Sequence, residues 1–593
     1  MSVPEGKRRT LLRDGVEWPA RPGEAGEEIL TDVLDIRHRG ELSPEKKTPY
    51  RTGLYVTKDG VQKEKSAAAA LQGGRWDDHG AEGVSLDSRS ADFSAVIVDG
   101  GKYALKGAKL HMPTESDGRE VCDFVGLGSA VAAFNGARVE IEDCEIATEG
   151  VAKCTVYADD GSDVVIKNCR LSAMGGRLYE GYVNSADFNY MVAPPWVLGI
   201  TGNARGTNLM GEKASMVIVD TDVKARNWGA LSTDNGEHNL LAVVDSDLAV
   251  VGGPADGKDP YHKTWGSGYG TYILGADEDF RGARIHAGTY IGIARDGNAV
   301  YRSSRGPVRY VSPTTGEVLY EGEGKGRITE LHSDVFGIMA HGFADLTLTE
   351  GTVMETGSAA FLLRCGGVKI HVKDGARIRP ADGVLLQIID DDDATVGVDW
   401  SSKVELEFHT EFREKEGWPS ENGQISSLMP PPDPSDMPPP PPPGDDAPPP
   451  PQFDVHFDAA GVTLAGNLYN GSGYYGQKAK QLYVTLGEGA ELTGAISATE
   501  TIHVDENGKQ NTRFTIDQYY YLGHVANRPF HNGENDVEVT LKAGSVWNVA
   551  GAGILSALTV EEGAVLKGTV TVDGETLVPV PGTTYQGKIT VAP

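Results

Sequence analysis

Cysteine is scarce in this chain, at five of 593 residues. So few cannot build a disulfide framework, and an odd count suits reduced thiols. No Cys or His pair has zinc-finger spacing, and no run approaches the ~18 uninterrupted apolar residues of a membrane span. Basic residues are in deficit, 54 Lys and Arg against 85 Asp and Glu, for a net charge of −31. That balance excludes nucleic acid, which is held through clustered Lys and Arg, and disfavours an anionic membrane surface. No P-loop, GxSxG, HExxH or dinucleotide fingerprint is present. Behind Arg8-Arg9, the charges of Arg13, Asp14 and Glu17 leave no apolar stretch for a signal peptide. The expected location is cytoplasmic, or secreted if a leader was removed.

Glycine, by contrast, is abundant: 76 residues, against a usual ~7%. Hydrophobic residues still make 39%, enough for a large core. A short phrase recurs: apolar, any, apolar, any, Asp/Glu/Asn, small, any, apolar. It reads Val139-Glu-Ile141-Glu-Asp143-Cys144-Glu-Ile146, then Val164-Val-Ile166-Lys-Asn168-Cys169-Arg-Leu171. Copies follow from Met216 to Val223, Leu241 to Leu248, Leu346 to Val353 and Ile370 to Ile378. Weaker copies start at Val484, Val539 and Leu558. Asp143 to Asn168 is 25 residues, Asp220 to Asp245 is 25 and Glu350 to Asp374 is 24. Two-residue alternation inside a period of that length means short strands stacked in a solenoid. Helical, WD40 and leucine-rich repeats are excluded by patterning, period or missing frame residues. The expected fold is all-β: a parallel β-helix with left-handed Gly, Asn and Asp at its corners. Cys144 and Cys169 occupy one repeat position and read as a buried thiol stack.

The phrase, with its Asp/Asn corners and inward Val/Ile stacks, resembles the right-handed parallel β-helix (pectin-lyase-like) superfamily over roughly residues 94–593. It is also similar to uncharacterised Gly-rich β-helix proteins of gut anaerobes, which implies a bacterial source. The resemblance implies the fold and favours carbohydrate or uronate substrates; the chemistry has to come from individual residues. The expected division is an N-terminal cap and leader over 1–93, and β-helix over 94–428. A Pro/Asp-rich loop over 429–452 and C-terminal coils over 453–593 complete it. Segments 176–213, 252–272 and 296–327 interrupt the repeat and read as long loops over one face.

A solenoid projects residues of one register as a column. Aligning what precedes each phrase brings Asp234, Tyr272, His341, Arg364, Gln387 and Asp390 near one corner. His341 or Tyr272 would move protons, and Arg364 would hold a carboxylate or oxyanion. Asp234 or Asp390 would orient the imidazole or act as base. Tyr190, Trp196, Arg205, Trp228, His238, Trp265, Tyr269 and Gln387 would line a substrate wall, since aromatics beside amides suit flat polar ligands. The competing reading is a wet corner whose Asp and His are only solvated or capping. Asp390 to Asp393 suggest Ca2+, but alternation turns only some carboxylates inward and the ion needs 6–8 oxygens. A solvated acidic turn is therefore preferred, with no metal and no cofactor expected.

The leading expectation is an acid/base enzyme, a lyase or isomerase, acting on a small polyhydroxylated substrate such as a sugar, uronate or polyphenol. Its partner is that substrate, with homo-oligomerisation left open. The alternatives are a non-catalytic glycan-binding or adhesin-like surface β-helix and a glycoside hydrolase. His341→Ala and Arg364→Ala are expected to abolish turnover without loss of stability, on the premise that corner side chains bury little. The Pro tract carries 14 of the 32 prolines and reads as an extended linker. Replacing 429–452 by a short Gly/Ser linker should leave the melting temperature and any activity nearly unchanged. A large activity loss with the fold intact would make the segment a lid or docking element.

Overall fold

The computed structural model describes residues 3–20, 23–36, 48–114, 116, 124–176, 204–226, 228–251, 268–340, 342–364, 366–389, 397–399, 453–472, 481–505, 507–511, 513–515 and 523–593. The Pro tract lies outside them. The described chain is strand and turn, with two short 3-10 segments at Lys63–Lys65 and Ala68–Ala70. No helix among the described residues is long and apolar enough to cross a membrane.

Successive strands visit three long sheets in a fixed cycle. Phe93–Asp99 lies in sheet I, Lys102–Lys106 in sheet II and Lys109–Pro113 in sheet III. Val131–Phe134, Arg138–Glu142 and Glu145–Glu149 then pair with them in parallel, and the circuit repeats. These long, mostly parallel sheets are consistent with a solenoid or β-helix-like fold.

The repeat phrase is the register of sheet II. Val139 pairs with Val164, Val164 with Met216 and Met216 with Leu241. The series resumes at Leu346 with Ile370 and ends Val484, Val539, Leu558. All of these face the core. The acidic or amide residue of the phrase turns the chain from sheet II into sheet III. Asp143, Asn168, Asp220, Asp245, Glu350 and Asp374 have φ of 56°, 51°, 50°, 50°, 50° and 51°. Short polar side chains tolerate that left-handed backbone best. The small residue that follows forms a ladder. The amide of Ala108 donates to Cys144 Sγ, that of Cys144 to Cys169 Sγ, and that of Cys169 to Thr221 Oγ1. The Thr221 amide then donates to Ser246 Oγ at 3.1 Å. Cys144 and Cys169 are free, buried thiols.

Parallel pairing begins earlier than the phrase. Thr48–Thr57 already pairs with Phe93–Asp99, so a first circuit lies inside the segment read as cap. Ahead of it, Lys7–Arg13, Val16–Pro19 and Glu27–Asp32 form an antiparallel set. Arg51 anchors that set: its guanidinium contacts Glu17 at 3.2 Å and Asp92 at 2.7 Å, all buried. Removing one partner from such a network costs about 3–5 kcal/mol, because the other charges stay buried.

The insertions need correction too. Arg205–Glu212 and Gly297–Arg302, expected in loops, are regular strands, and the strand Tyr269–Leu274 begins inside the segment read as the loop 252–272. Alternation is missing in the sheet I strands Arg205–Glu212 and Tyr269–Leu274 because both faces of sheet I are buried; Arg205–Met210, for instance, is buried at every position. Gly297–Arg302 belongs to sheet II and alternates. The rest of 296–327 does not lie over the face that carries the predicted site. Pro307–Val311 and Val318–Glu323 pair as a hairpin against the outer face of sheet II. There Val308, Tyr310 and Leu319 cover Val165, Val217, Ala242 and Val244.

One inward position of sheet II is a carboxyl. Glu278 pairs with Leu241 and Ala299 in the apolar column, and is 2% exposed. It accepts hydrogen bonds from Thr271 Oγ1 (2.6 Å) and Thr233 Oγ1 (3.3 Å). Burial pushes its pKa up to about 8, the two hydroxyls offsetting only part. A raised folded-state value stabilises at low pH and loses that contribution as pH climbs through about 8. The melting temperature should therefore fall from about pH 4.5 to about pH 8 and lose this slope above that, and Glu278→Gln should flatten the decline. Equal pH profiles for the two proteins would show that Glu278 carries no such linkage.

Candidate functional site

On sheet III, and on sheet II outside the strands the hairpin covers, strands alternate between buried and more exposed positions, as in Lys102–Lys106. Sheet I is different: its outer face carries a second apolar cluster, separate from the core. Trp228, Tyr269, Tyr272, Tyr290, Ile293, Phe336, Met339, Leu362 and Ile389 make it, all buried. Every predicted site residue that the structure describes, except His238, belongs to this sheet or to the turns at its strand ends.

Arg205, Trp228, Asp234, Tyr269 and Tyr272 are brought together. Arg205 opens the strand Arg205–Glu212, and Asp234 lies on the next one, Gly229–Glu237. Arg205 Nη1 donates to Asp234 Oδ2 at 2.8 Å, with both side chains buried. The Arg205 guanidinium stands 5.0 Å from the Trp228 ring and 5.1 Å from that of Phe124. Gly229, in register with Arg205 and Tyr269, leaves room for this packing, because a Cβ there would meet the Tyr269 ring at 2.2 Å. The rings of Tyr269 and Tyr272 lie 5.9 Å apart, and the Tyr269 hydroxyl shares a 2.8 Å hydrogen bond with Ser232 Oγ. Burial raises the Tyr272 phenol far above its ordinary range; Asp234 adds to this, while Arg295 and Arg205 oppose it. The phenol is therefore held as a proton donor. The buried indole N–H of Trp228 has no hydrogen-bond partner among the described residues.

The single column expected from the sequence divides in two. Tyr272 is in register with Ser232, and through Ile293, Met339 and Leu362 with Gln387. Asp234 and Arg364 stand two residues further along their strands. Four strand spacings separate those two, roughly 19 Å, so they do not flank one small molecule. Arg364 instead lies near Tyr290, lowering a phenol that burial raises. Gln387 exchanges two amide hydrogen bonds with Asn527, of 3.1 and 2.7 Å. His238 is an exposed corner residue with φ of 57°, between sheets I and II. His341, Asp390, Tyr190, Trp196 and Trp265 lie outside the described residues, as do Asp391 to Asp393 of the suggested Ca2+ turn.

Several neighbours were not singled out in the sequence. Ser232, Asn208 and Tyr290 sit in strands without alternation. His524 packs on Phe336 at 4.9 Å from far along the chain, and its burial lowers the imidazole pKa. Asp159 is fully buried beside the Tyr157 hydroxyl, 3.3 Å away. It stands two circuits from Asp234, roughly 9.6 Å by strand spacing.

No family model matches the sequence, and no curated protein matches it.

The premise that these positions bury little is corrected: Arg205 and Arg364 are each 1% exposed. Arg205→Ala and Asp234→Ala should each destabilise by about 3–5 kcal/mol in urea unfolding, since each strands a buried charge. Arg205→Met combined with Asp234→Leu should cost much less than their sum. Additive losses would show that the pair is not coupled.

Proposed function

We propose that the outer face of sheet I around Asp234 and Tyr272 is the reaction site of an acid/base enzyme, a lyase or isomerase. Its substrate is a small polyhydroxylated molecule carrying a carboxylate or an acidic phenol. The fold that carries it is read as a right-handed parallel β-helix of the pectin-lyase-like kind. The observation that supports this is the Arg205–Asp234 ion pair, buried under Trp228 beside a phenol held protonated, on a strand face that would ordinarily meet water.

In this reading Asp234, oriented by Arg205, takes a proton from carbon. Tyr272 returns one, to a departing oxygen in elimination or to the neighbouring carbon in isomerisation. The Arg205 charge stabilises the intermediate enolate. The Trp228 indole supplies an unspent donor for a substrate oxygen, and Tyr269 supplies an aromatic wall. Arg364 and Gln387 form a second polar group, roughly 14 and 19 Å from Tyr272 by strand spacing, suited to the far end of a longer substrate. A glycoside hydrolase fits less well, because the Asp159–Asp234 spacing sits at the upper edge of the ~5–9.5 Å that two working carboxylates span. The satisfied Arg205–Asp234 and Gln387–Asn527 pairs favour the second reading, a non-catalytic glycan-binding surface.

Proton NMR in D2O separates the two. With sugars, uronates and phenolic glycosides as substrates, the wild type should exchange a carbon-bound proton or eliminate. Tyr272→Phe and Asp234→Asn should slow this by about 10²–10⁴-fold with the fold retained. Glycan binding without exchange or turnover, unchanged in both variants, would establish the non-catalytic reading instead.

A further inference from the structure

Sheet III presents charged side chains to solvent, and several rungs join opposite signs. Arg284 Nε donates to Glu330 Oε2 at 2.8 Å, and Arg379 Nη1 to Glu355 Oε1 at 2.7 Å. His111 meets Asp87 at 2.9 Å. On sheet II, His371 likewise sits between Asp345 and Asp458, at 3.5 and 3.3 Å. One rung joins two imidazoles. His286, on Arg284–Ala287, pairs in register with His332, on Glu330–Ser333. Their ring centroids are 4.6 Å apart.

Both imidazoles turn toward one carboxylate. Asp334 follows His332 by two residues, which puts it on the same side of the chain. Its Oδ1 lies 3.4 Å from His332 Nε2 and 4.0 Å from His286 Nε2. The three donor atoms lie within 4.8 Å of one another. Among the described residues, no Lys or Arg forms an ion pair with Asp334. Around an ion with bonds of ~2.0–2.1 Å, tetrahedral donors stand roughly 3.3 Å apart. Small side-chain rotations therefore close the set. Two protonated imidazoles stacked this closely would repel, whereas two neutral ones beside a carboxylate are a complete set of protein ligands for a borderline divalent ion.

We propose that His286, His332 and Asp334 bind one divalent transition-metal ion of the Zn2+ class on the outer face of sheet III, apart from the sheet I site. All three side chains are 45–63% exposed, so the remaining coordination positions face solvent. The neighbour of His332 in the next circuit is Glu355, held by Arg379 and so not offered to the ion.

The experiment is titration of the metal-stripped full-length chain with Zn2+ by calorimetry, and with Co2+ by visible absorption. One equivalent should bind at neutral pH, and Co2+ should show ligand-field bands. His286→Ala and His332→Ala should each weaken binding by more than about tenfold, with Asp334→Asn weakening it less. Lowering the pH to about 5 should release the ion, because imidazole ligates only when unprotonated. Unchanged circular dichroism and melting temperature of the apo variants would confirm that the fold is kept, as expected for exposed side chains. His371→Ala serves as the control and should bind as the wild type does. Failure to take up either ion, or equal uptake by the His286→Ala/His332→Ala double variant, overturns the proposal.

Discussion

Most circuits leave sheet II and enter sheet III through a corner with left-handed backbone, and the rest of the fold takes its register from that corner. A non-glycine residue held there costs on the order of 1 kcal/mol. Asp143, Asn168, Asp220 and Asp245 accept that cost at φ near +50°. The thiol and hydroxyl ladder behind them offsets it, because each corner amide finds a sulfur or oxygen of the next circuit. Asn168 Nδ2 also donates to Asp143 Oδ1 at 2.7 Å, so the corners stack on their outer side too. Moving one corner by a residue would turn Val139, Val164 and Met216 out of the core together.

With register fixed in sheet II, the other faces are free to differ. Sheet III spends its outer positions on ion pairs in water, which add little stability each. Sheet I encloses both of its faces and fills the outer one with aromatic rings, arginines and carboxylates. Buried polar groups of that kind are retained where they are mutually satisfied or put to use. Arg205 with Asp234 is the first case, and the Trp228 indole is an example of the second kind of demand. The proposed chemistry rests on their being neighbours.

The sequence made this architecture legible wherever one face of a strand is wet. Val139, Leu346, Ile370 and Val539 are recognisable because each stands two residues from another apolar side chain, with a polar one between. Sheet I is hard to read for the opposite reason: Arg205–Glu212 has no polar face and reads as part of a loop, and Tyr269–Leu274 shows no alternation to mark where its strand begins. The distance to the next phrase marks Asp234 and the equivalent strand marks Tyr272, but that alignment puts them in one column when they are two residues out of step. Glu278 stayed hidden because a carboxyl in an apolar column violates the pattern used to find the column. His286 and His332 stayed apart because the hairpin between their strands stretches one 24–25-residue circuit to 46. Aligning Arg284-Ile-His286-Ala with Glu330-Leu-His332-Ser directly would have joined them.

That hairpin also changes how the molecule would yield to force. Stacked repeats touch only their neighbours, so a chain pulled from its ends peels away one circuit at a time. Here Tyr310 donates to Asp279 at 2.8 Å, Thr314 to the carbonyl of Lys213 at 2.8 Å, and the Lys325 amide to Asp245 at 2.8 Å. These attachments cross several circuits at once, and the apolar side of the hairpin lies on Val165, Val217 and Ala242. The middle of the stack is thereby riveted into a block. Tension would strip the outer circuits singly and then meet one large resistance, at which the riveted circuits part together.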